Sequence, residues 1–298
     1  MNNLEESPKF NPFAGPEIEK AIYSTESQTE IWTACSLGGD DANKAYKLSF
    51  TIDFDGLLQT PAMELAIQTL VNRHESLRAA FSRDGVYMSI FKELHIDINK
   101  LNLSNIDKEA QNDAFENYKN EDAHYIFDLV NGPLIKVGLI TFSEIKHSLI
   151  ITVHHIICDG WSTGILLQEL GIIYSAIVEN KEPLLAELTP FSTYANQDHL
   201  FLNSNEYIET EKYWLNMYEN SIPVVSIPTD NPRPSPRTYE SGRLDFGLDS
   251  NLSVSIKKTG LSVGASFVTT LLAGFEVLLY QLTGQNDLVV GVPSAGQP

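Results

Sequence analysis

The fold is decided by the stretch His154-His155-Ile156-Ile157-Cys158-Asp159-Gly160-Trp161-Ser162. Residues 148–153 before it are apolar and rich in β-branched side chains, which predicts a buried strand. Residues 163–170 after it predict the start of a helix. Two histidines therefore stand where a strand ends and a loop begins. Reactive side chains are common at such places, because the strand aims them and the loop leaves access.

The two histidines are expected to have different roles. Neighbouring residues of a strand point to opposite faces, so only one of His154 and His155 can face an open site. Asp159 is close enough in sequence to orient a histidine, or to pair with an arginine and hold the turn. Gly160 is expected to permit a backbone angle that other residues cannot take cheaply.

The remaining side chains of the stretch leave alternatives open. A metal site of His154, His155 and Asp159 requires both rings to converge on one ion, which strand alternation opposes. Cys158 is a possible nucleophile, but the neighbouring carboxylate opposes formation of the thiolate. We therefore expect Cys158 to be a packing residue and a histidine to act directly. Trp161 is expected to pack in the core, and Ser162 to lie behind the site.

Composition excludes several functional classes. The 298 residues include 39 acidic and 20 basic side chains, a formal net charge of −19, which disfavours binding to nucleic acid or to anionic membranes. Two cysteines do not provide a disulfide framework. No apolar run approaches the ~20 residues of a membrane span, and the acidic N-terminus does not resemble a signal peptide. A cytoplasmic protein is the expectation.

The order of predicted elements favours an α+β fold, because several strands are adjacent in sequence. Residues 1–22 are expected to form a linker or arm, and a short helix is expected from Ser24. The predicted strands, including the one that leads into the two histidines, are 45–54, 86–91, 134–142, 146–154, 243–248 and 288–292. The remaining predicted helices are 60–74, 108–124, 161–178, 191–201, 206–218, 251–259 and 266–282, the last one buried because of its apolar composition.

These residues resemble a known family, the condensation domains of nonribosomal peptide synthetases. Residues 154–160 match its H-H-x-x-x-D-G signature, and residues 73–78 match its R-H-E-x-L-R motif closely. Residues 27–32 resemble the opening motif of the family with departures at Thr29 and Glu30, and residues 191–197 are a looser match. Residues 287–296 resemble a later motif, with Gln297 where arginine is usual. The departures are most similar to domains of mixed polyketide–peptide assembly lines.

The resemblance implies a fold of two chloramphenicol acetyltransferase-like lobes, with mixed sheets, flanking helices and the site between the lobes. The first lobe would cover residues 23–185, and residues 186–298 would be an incomplete second lobe, so a truncated and inactive chain is expected. Asp159 would be structural, with Arg78 as its partner. His155 would face the substrate amine, His154 would face inward, and Gly160 would line the site with its backbone.

The implied reaction is amide formation between a donor acyl or peptidyl thioester and an acceptor aminoacyl thioester. Both substrates would arrive on phosphopantetheine arms of an upstream and a downstream carrier protein. The chain would bind these carriers and adjacent synthetase domains, with no cofactor or metal of its own. The alternatives are an O-acyltransferase of the wider superfamily that resembles chloramphenicol acetyltransferase, an epimerisation domain, or an inactive docking module for carrier proteins.

Overall fold

The computed structural model describes residues 16–232, 235, 238–239 and 241–292. The chain divides into two compact units, one ending at Ser204 and the other beginning at Asn205. The helix Phe191–Leu202 thus falls in the first unit, although the sequence placed it in a second lobe. The lobe boundary at residues 185–186 stays a prediction.

Over its described residues, 16–204, the first unit contains two sheets and five α-helices. The first sheet has the order β1-β4-β3 and the second the order β2-β7-β6-β5, and only the pair β5–β6 is parallel. The strands are β1 Ile18–Tyr23, β2 Lys47–Asp55, β3 Ala79–Phe81, β4 Tyr87–Phe91, β5 Ile98–Asn102, β6 Ile135–Ser143 and β7 Lys146–His154. The helices are α1 Glu26–Ala45, α2 Thr60–Arg73, α3 Lys108–His124, α4 Gly160–Val178 and α5 Phe191–Leu202, with a short 3₁₀ helix at Glu75–Arg78.

Local sequence signals account for most of these elements. The helix predicted from Ser24 is confirmed as α1, which begins after its cap residue Thr25. It is longer than expected and extends to Ala45. Pro61 lies in the first turn of α2, where its missing N–H costs nothing. The alternating side chains of β2 place Phe50 and Ile52 among the residues that pack on the core.

The core of the first unit lies between the β7–β6 surface and helices α2 and α4. Leu70 of α2, Leu170 and Ile173 of α4, and Leu149 of β7 are all buried in one cluster. By length and composition α4 could also cross a membrane, and the bent pair of helices at 250–262 and 267–283 could form a second span. Leu166, Leu170 and Ile173 of α4 pack in this cluster, which accounts for part of the apolar composition of the helix.

Strands β1 and β5 of the first unit were not predicted. Ile18–Tyr23 pairs antiparallel with β4, so the arm expected over residues 1–22 does not extend that far, and residues 1–15 lie outside the described residues. Ile98–Asn102 pairs parallel with β6. Its sequence, Ile-Asn-Lys-Leu-Asn, carries three polar residues out of five, so it gives no strand signal.

The second unit contains α6 Asn205–Met217, α7 Ser250–Ser262 and α8 Phe267–Thr283. The prediction that α8 is buried was wrong, because Leu279 is its one buried residue. The strands predicted at 243–248 and 288–292 are not formed in the described part of the chain. Residues 293–298, which include Gln297, lie outside the described residues.

Candidate functional site

The His154–Ser162 loop joins β7 to α4. Strand β7 ends at His154, residues 155–157 form a turn, and α4 begins at Gly160. The backbone N–H of His154 donates to the carbonyl of Leu134, and that of His155 donates to the carbonyl of Tyr46 at 2.7 Å. Neighbouring strand segments on both sides of β7 therefore hold the backbone of the two histidines.

His154 is sealed in the core, with no exposed surface. Its Nδ1 accepts the N–H of Ile156 at 3.2 Å, so in the neutral ring the proton is on Nε2, which lies 3.8 Å from Sγ of Cys35. Burial, together with electrostatic interactions with His155 and Lys47, lowers the pKa of His154 to about 4. His154 is therefore neutral near pH 7, and its contacts are those of a structural residue.

His155 differs from its neighbour because its side chain is only half-buried. One histidine is thus enclosed and the other retains contact with the outside, as strand alternation predicts. A half-buried imidazole directly after a strand can meet a substrate while its backbone stays fixed. Its role in catalysis stays a prediction at this point.

Asp159 caps helix α4. Its Oδ1 accepts the N–H of Ser162 at 2.7 Å and the hydroxyl of Ser162 at 2.6 Å. Burial acts to raise the pKa of Asp159, but these two bonds and the electrostatic interaction with the neighbouring His155 hold it below its ordinary value. The carboxylate also lies at the positive end of the helix dipole. Asp159 and Ser162 together fix the turn, which is the structural role predicted for Asp159.

The predicted partner of Asp159 was wrong. Arg78 donates instead to Oε2 of Glu19 at 3.2 Å, to the carbonyl of Lys92 at 3.0 Å and to the carbonyl of Phe91. The positive charge of Arg78 is therefore compensated by β1 and by the segment after β4. The capping bonds from Ser162 give Asp159 its partners within the loop itself.

The R-H-E-x-L-R segment connects several elements. Arg73 donates to both carboxylate oxygens of Glu169 in α4, at 2.9 and 3.2 Å, and Nε2 of His74 lies 2.8 Å from the same carboxylate. Glu75 accepts the N–H of Ser192 at 2.7 Å, at the first turn of α5. The resemblance implied a role only for Arg78 in this motif, and the partners Glu169 and Ser192 carried no signal in the sequence.

Two other expectations for the loop were wrong. Gly160 does not have a positive φ, and a Cβ built on it would have no atom within 4 Å, so no backbone angle there requires glycine. Trp161 is 67% exposed rather than packed in the core. Its indole therefore lies on the surface at the first turn of α4, and Trp161 follows His155 in the sequence after the five residues 156–160.

Cys158 is a packing residue. It is 4% exposed and belongs to the main apolar cluster of the unit. Burial raises the pKa of its thiol to about 11, and the charge of Asp159 adds to this effect. The thiol is therefore protonated at neutral pH, which agrees with the prediction that it is no nucleophile. Within the described ranges, no three His, Cys, Asp or Glu side chains gather as a metal site.

The sheets, the flanking helices and the histidine loop define an α+β protein with a chloramphenicol acetyltransferase-like fold. The same fold is found in the X-domain of teicoplanin biosynthesis solved with OxyB, with a TM-score of 0.76 and 22% identity over 88% of this chain and 57% of that chain. A point mutant of the starter condensation domain of rhizomide synthetase RzmA matches with a TM-score of 0.69 and 20% identity, covering 89% of this chain and 60% of that one.

Residues 18–298 match the family model described as Condensation domain. The chain belongs to the condensation domains of nonribosomal peptide synthetases. It is 34% identical to one of the linear gramicidin synthase subunits of Brevibacillus parabrevis, over 91% of this chain and 5% of that protein. It is 30% identical to surfactin synthase subunit 2 of Bacillus subtilis (strain 168), over 99% of this chain and 8% of that protein. The chain thus spans a small part of the curated relatives it matches.

Proposed function

We propose that this chain forms amide bonds between a donor acyl or peptidyl thioester and the amine of an acceptor aminoacyl thioester. The donor would be carried by an upstream carrier protein and the acceptor by a downstream one, both on phosphopantetheine arms, and adjacent synthetase domains would hold the carriers. The observation that carries the proposal is His155, half-buried at the end of a core strand in a chain that belongs to this family.

The chemistry requires little of the protein beyond alignment and one proton acceptor. The amine nitrogen attacks the thioester carbonyl, the C–S bond breaks, and the proton lost by the amine neutralises the departing thiolate. An imidazole can accept that proton or hold the amine by a hydrogen bond. Aligning the two arms is worth up to ~7–11 kcal/mol in well-oriented systems. His154 is neutral and enclosed and Asp159 is committed to its cap, so His155 is the group left for this role.

The test is the substitution His155→Ala in the protein that contains this chain, supplied with loaded donor and acceptor carriers. We expect the condensation rate to fall by about 10²–10⁴-fold, the usual contribution of a general base. The matched control is His95→Ala, because the His95 side chain is 81% exposed and lies outside the loop. An unchanged rate in the His155→Ala variant would refute the proposed role.

The choice of acceptor separates amide formation from related acyl transfer. Carrier-bound amines should be acylated and free alcohols should not, and a wild-type protein that prefers alcohols would be an O-acyltransferase instead. Inversion at the α-carbon of a bound substrate, without a new amide, would indicate epimerisation. We propose no resident cofactor for the amide-forming reaction, because the substrates themselves bring the phosphopantetheine arms.

A second candidate is a docking module without catalysis. It is favoured by one observation: the X-domain that shares this fold was solved in a complex with OxyB. A docking module would bind carriers and release no amide product, with or without His155. The net charge of −19 supports protein partners over nucleic acid or anionic membranes in either case. Both candidates are consistent with a cytoplasmic location, which we propose for the chain.

A further inference from the structure

A glutamine from helix α1 contacts the loop beside His155. Nε2 of Gln28 donates to the carbonyl of Ile156 at 3.1 Å, and Ile156 directly follows His155. The two residues are 128 positions apart in sequence, so this contact is created by the fold alone. Gln28 is 4% exposed, and its bond to Ile156 is therefore shielded from water.

The orientation of the Gln28 amide is determined by its partners. Oε1 accepts the backbone N–H of Thr25 at 3.1 Å, and the N–H of Gln28 donates to Oγ1 of Thr25 at 3.3 Å, which completes the capping box of α1. An N–H can only donate and a carbonyl can only accept, so the amide cannot be reversed. The start of α1 thus holds Nε2 against the loop in one direction.

Apart from the bond from the N–H of Ile156 to Nδ1 of His154, the other hydrogen bonds of the turn join backbone groups. The N–H of His155 is bound to the carbonyl of Tyr46, and the N–H of Ile157 to the carbonyl of His154. The carbonyl of Ile156 and the N–H of Ile157 belong to one planar peptide group, so the bond to His154 already restrains this plane from within the turn. Gln28 restrains it from a different element of the fold.

We infer that Gln28 is a positioning residue for His155: by holding the carbonyl of Ile156, it adds a restraint from outside the loop on the turn from which the imidazole projects. This inference rests on the proposed function, because it assigns a role within the same reaction. His154, before His155 in the chain, is held by the thiol of Cys35 and by its backbone bond to Leu134. Gln28 instead contacts Ile156, the residue after His155. Misplacing a catalytic group by about 1 Å can cost ~10²-fold in rate.

The first test is Gln28→Met, which keeps the length of the side chain and removes both amide groups. We expect kcat for condensation to fall by between about 10- and 100-fold, with KM for the loaded carriers unchanged. The control is Gln68→Met, because Gln68 bridges two backbone groups in the same way, donating to the carbonyl of Leu94 at 2.7 Å and accepting from Ile96 at 3.2 Å. Equal kcat losses in both variants would overturn the inference, since they would report only lost stability.

A second variant, Gln28→Glu, has nearly the same shape and tests the direction of the hydrogen bond. When protonated, the introduced carboxyl can accept from Thr25 and donate to Ile156, whereas the ionised form can only accept. The rate relative to wild type at the same pH should therefore rise as the pH is lowered, while the folded fraction stays constant by circular dichroism. If the rate of Gln28→Glu relative to wild type does not change with pH, the inference is overturned. This test remains decisive even if the Gln28→Met variant fails to fold.

Wild type and His155→Ala are measured in the same assay. If wild type forms no amide, the proposed function fails. If wild type is active and His155→Ala is impaired, but Gln28→Met keeps the wild-type kcat, the positioning role alone fails.

Discussion

Replacing Glu75 by glutamine tests whether the charged motif after α2 holds the first unit together. Glu75 is 7% exposed and accepts three hydrogen bonds: from the N–H of Ser192 at 2.7 Å, from the hydroxyl of Ser192 at 3.2 Å and from Nζ of Lys20 at 2.5 Å. These bonds join the 3₁₀ turn to the first turn of α5 and to β1. Glutamine has nearly the same shape but removes the negative charge from all three.

The expected loss in the free energy of unfolding is about 2 kcal/mol. Hydrogen bonds to a charged group contribute about 1.5–3 kcal/mol each, against about 0.5–1.5 kcal/mol for neutral pairs. Glutamine can keep a neutral bond to Ser192. The side chain of Lys20 is 39% exposed, so its ammonium group can return to water and its pairing contributes little. For a cooperative unit of 150–250 residues, 2 kcal/mol corresponds to a fall in Tm of about 4–8 °C.

Urea unfolding followed by tryptophan fluorescence measures this change, with thermal unfolding as a second probe. Glu93→Gln is the matched control, because Glu93 is exposed and its replacement should alter stability by less than about 0.5 kcal/mol. The reasoning is refuted if Glu75→Gln differs from that control by less than about 0.5 kcal/mol, because a buried carboxylate with three donors cannot then have been an anchor.

Four further predictions use the same unfolding assay. Arg73→Lys should lower stability by about 1–2 kcal/mol, because lysine cannot repeat the two-pronged contact with Glu169; an unchanged midpoint would contradict the contact. Gly138→Ala should cost about 1–3 kcal/mol, because a Cβ would lie 2.0 Å from the Tyr118 hydroxyl. Gly171→Ala, in open space on α4, should be neutral or stabilising, and equal losses at both glycines would exclude the clash. Trp161→Ala should change stability by less than about 0.5 kcal/mol, since the ring is 67% exposed, and a loss of several kcal/mol would show that it is buried. Finally, contacts with positive groups and hydrogen bonds hold the pKa of Glu75 and of Glu169 below the ordinary value despite burial. Depressed folded values stabilise the protein fully above the unfolded value of about 4.3, so the stability difference between wild type and Glu75→Gln should shrink only as pH decreases through that value and below it. The lowered pKa of buried His154 makes the stability of both proteins fall from about pH 6.5 and cancels in this comparison, so a difference that already shrinks above pH 6 would contradict the prediction.

Local features of the site were predictable because strand geometry and capping act over a few residues. The separation of His154 from His155 was predicted from strand alternation and is found where the strand ends at His154 and a turn begins at His155. The cap at Asp159 depends on Ser162, three positions away. The partner of Arg78 was not predictable in this way. It lies 59 positions away in β1, a strand that the sequence assigned to an arm.

Burial was the least predictable property, because it depends on what packs against an element. The apolar composition of α8 predicted a buried helix, yet Leu279 is its one enclosed residue in the second unit. Trp161 shows the same error, since its large apolar ring predicts burial and is found exposed. Composition therefore indicates which side chains favour burial, but not which of them are covered by another element of the fold.

The charged side chains of residues 73–78 influence the histidine loop through a helix rather than through direct contact. Arg73 and His74 hold Glu169, which lies ten residues after Asp159 and therefore about 15 Å along α4 from its cap. A helix held at that point and capped at its start has little freedom to swing, so the end that carries the loop is fixed as well. A direct pair between Asp159 and Arg78 would have removed the carboxylate from the cap and left Ser162 without its partner. The observed division of charges holds α4 at its capped start and near its middle, and it leaves His155 as the half-buried polar group beside the capped end.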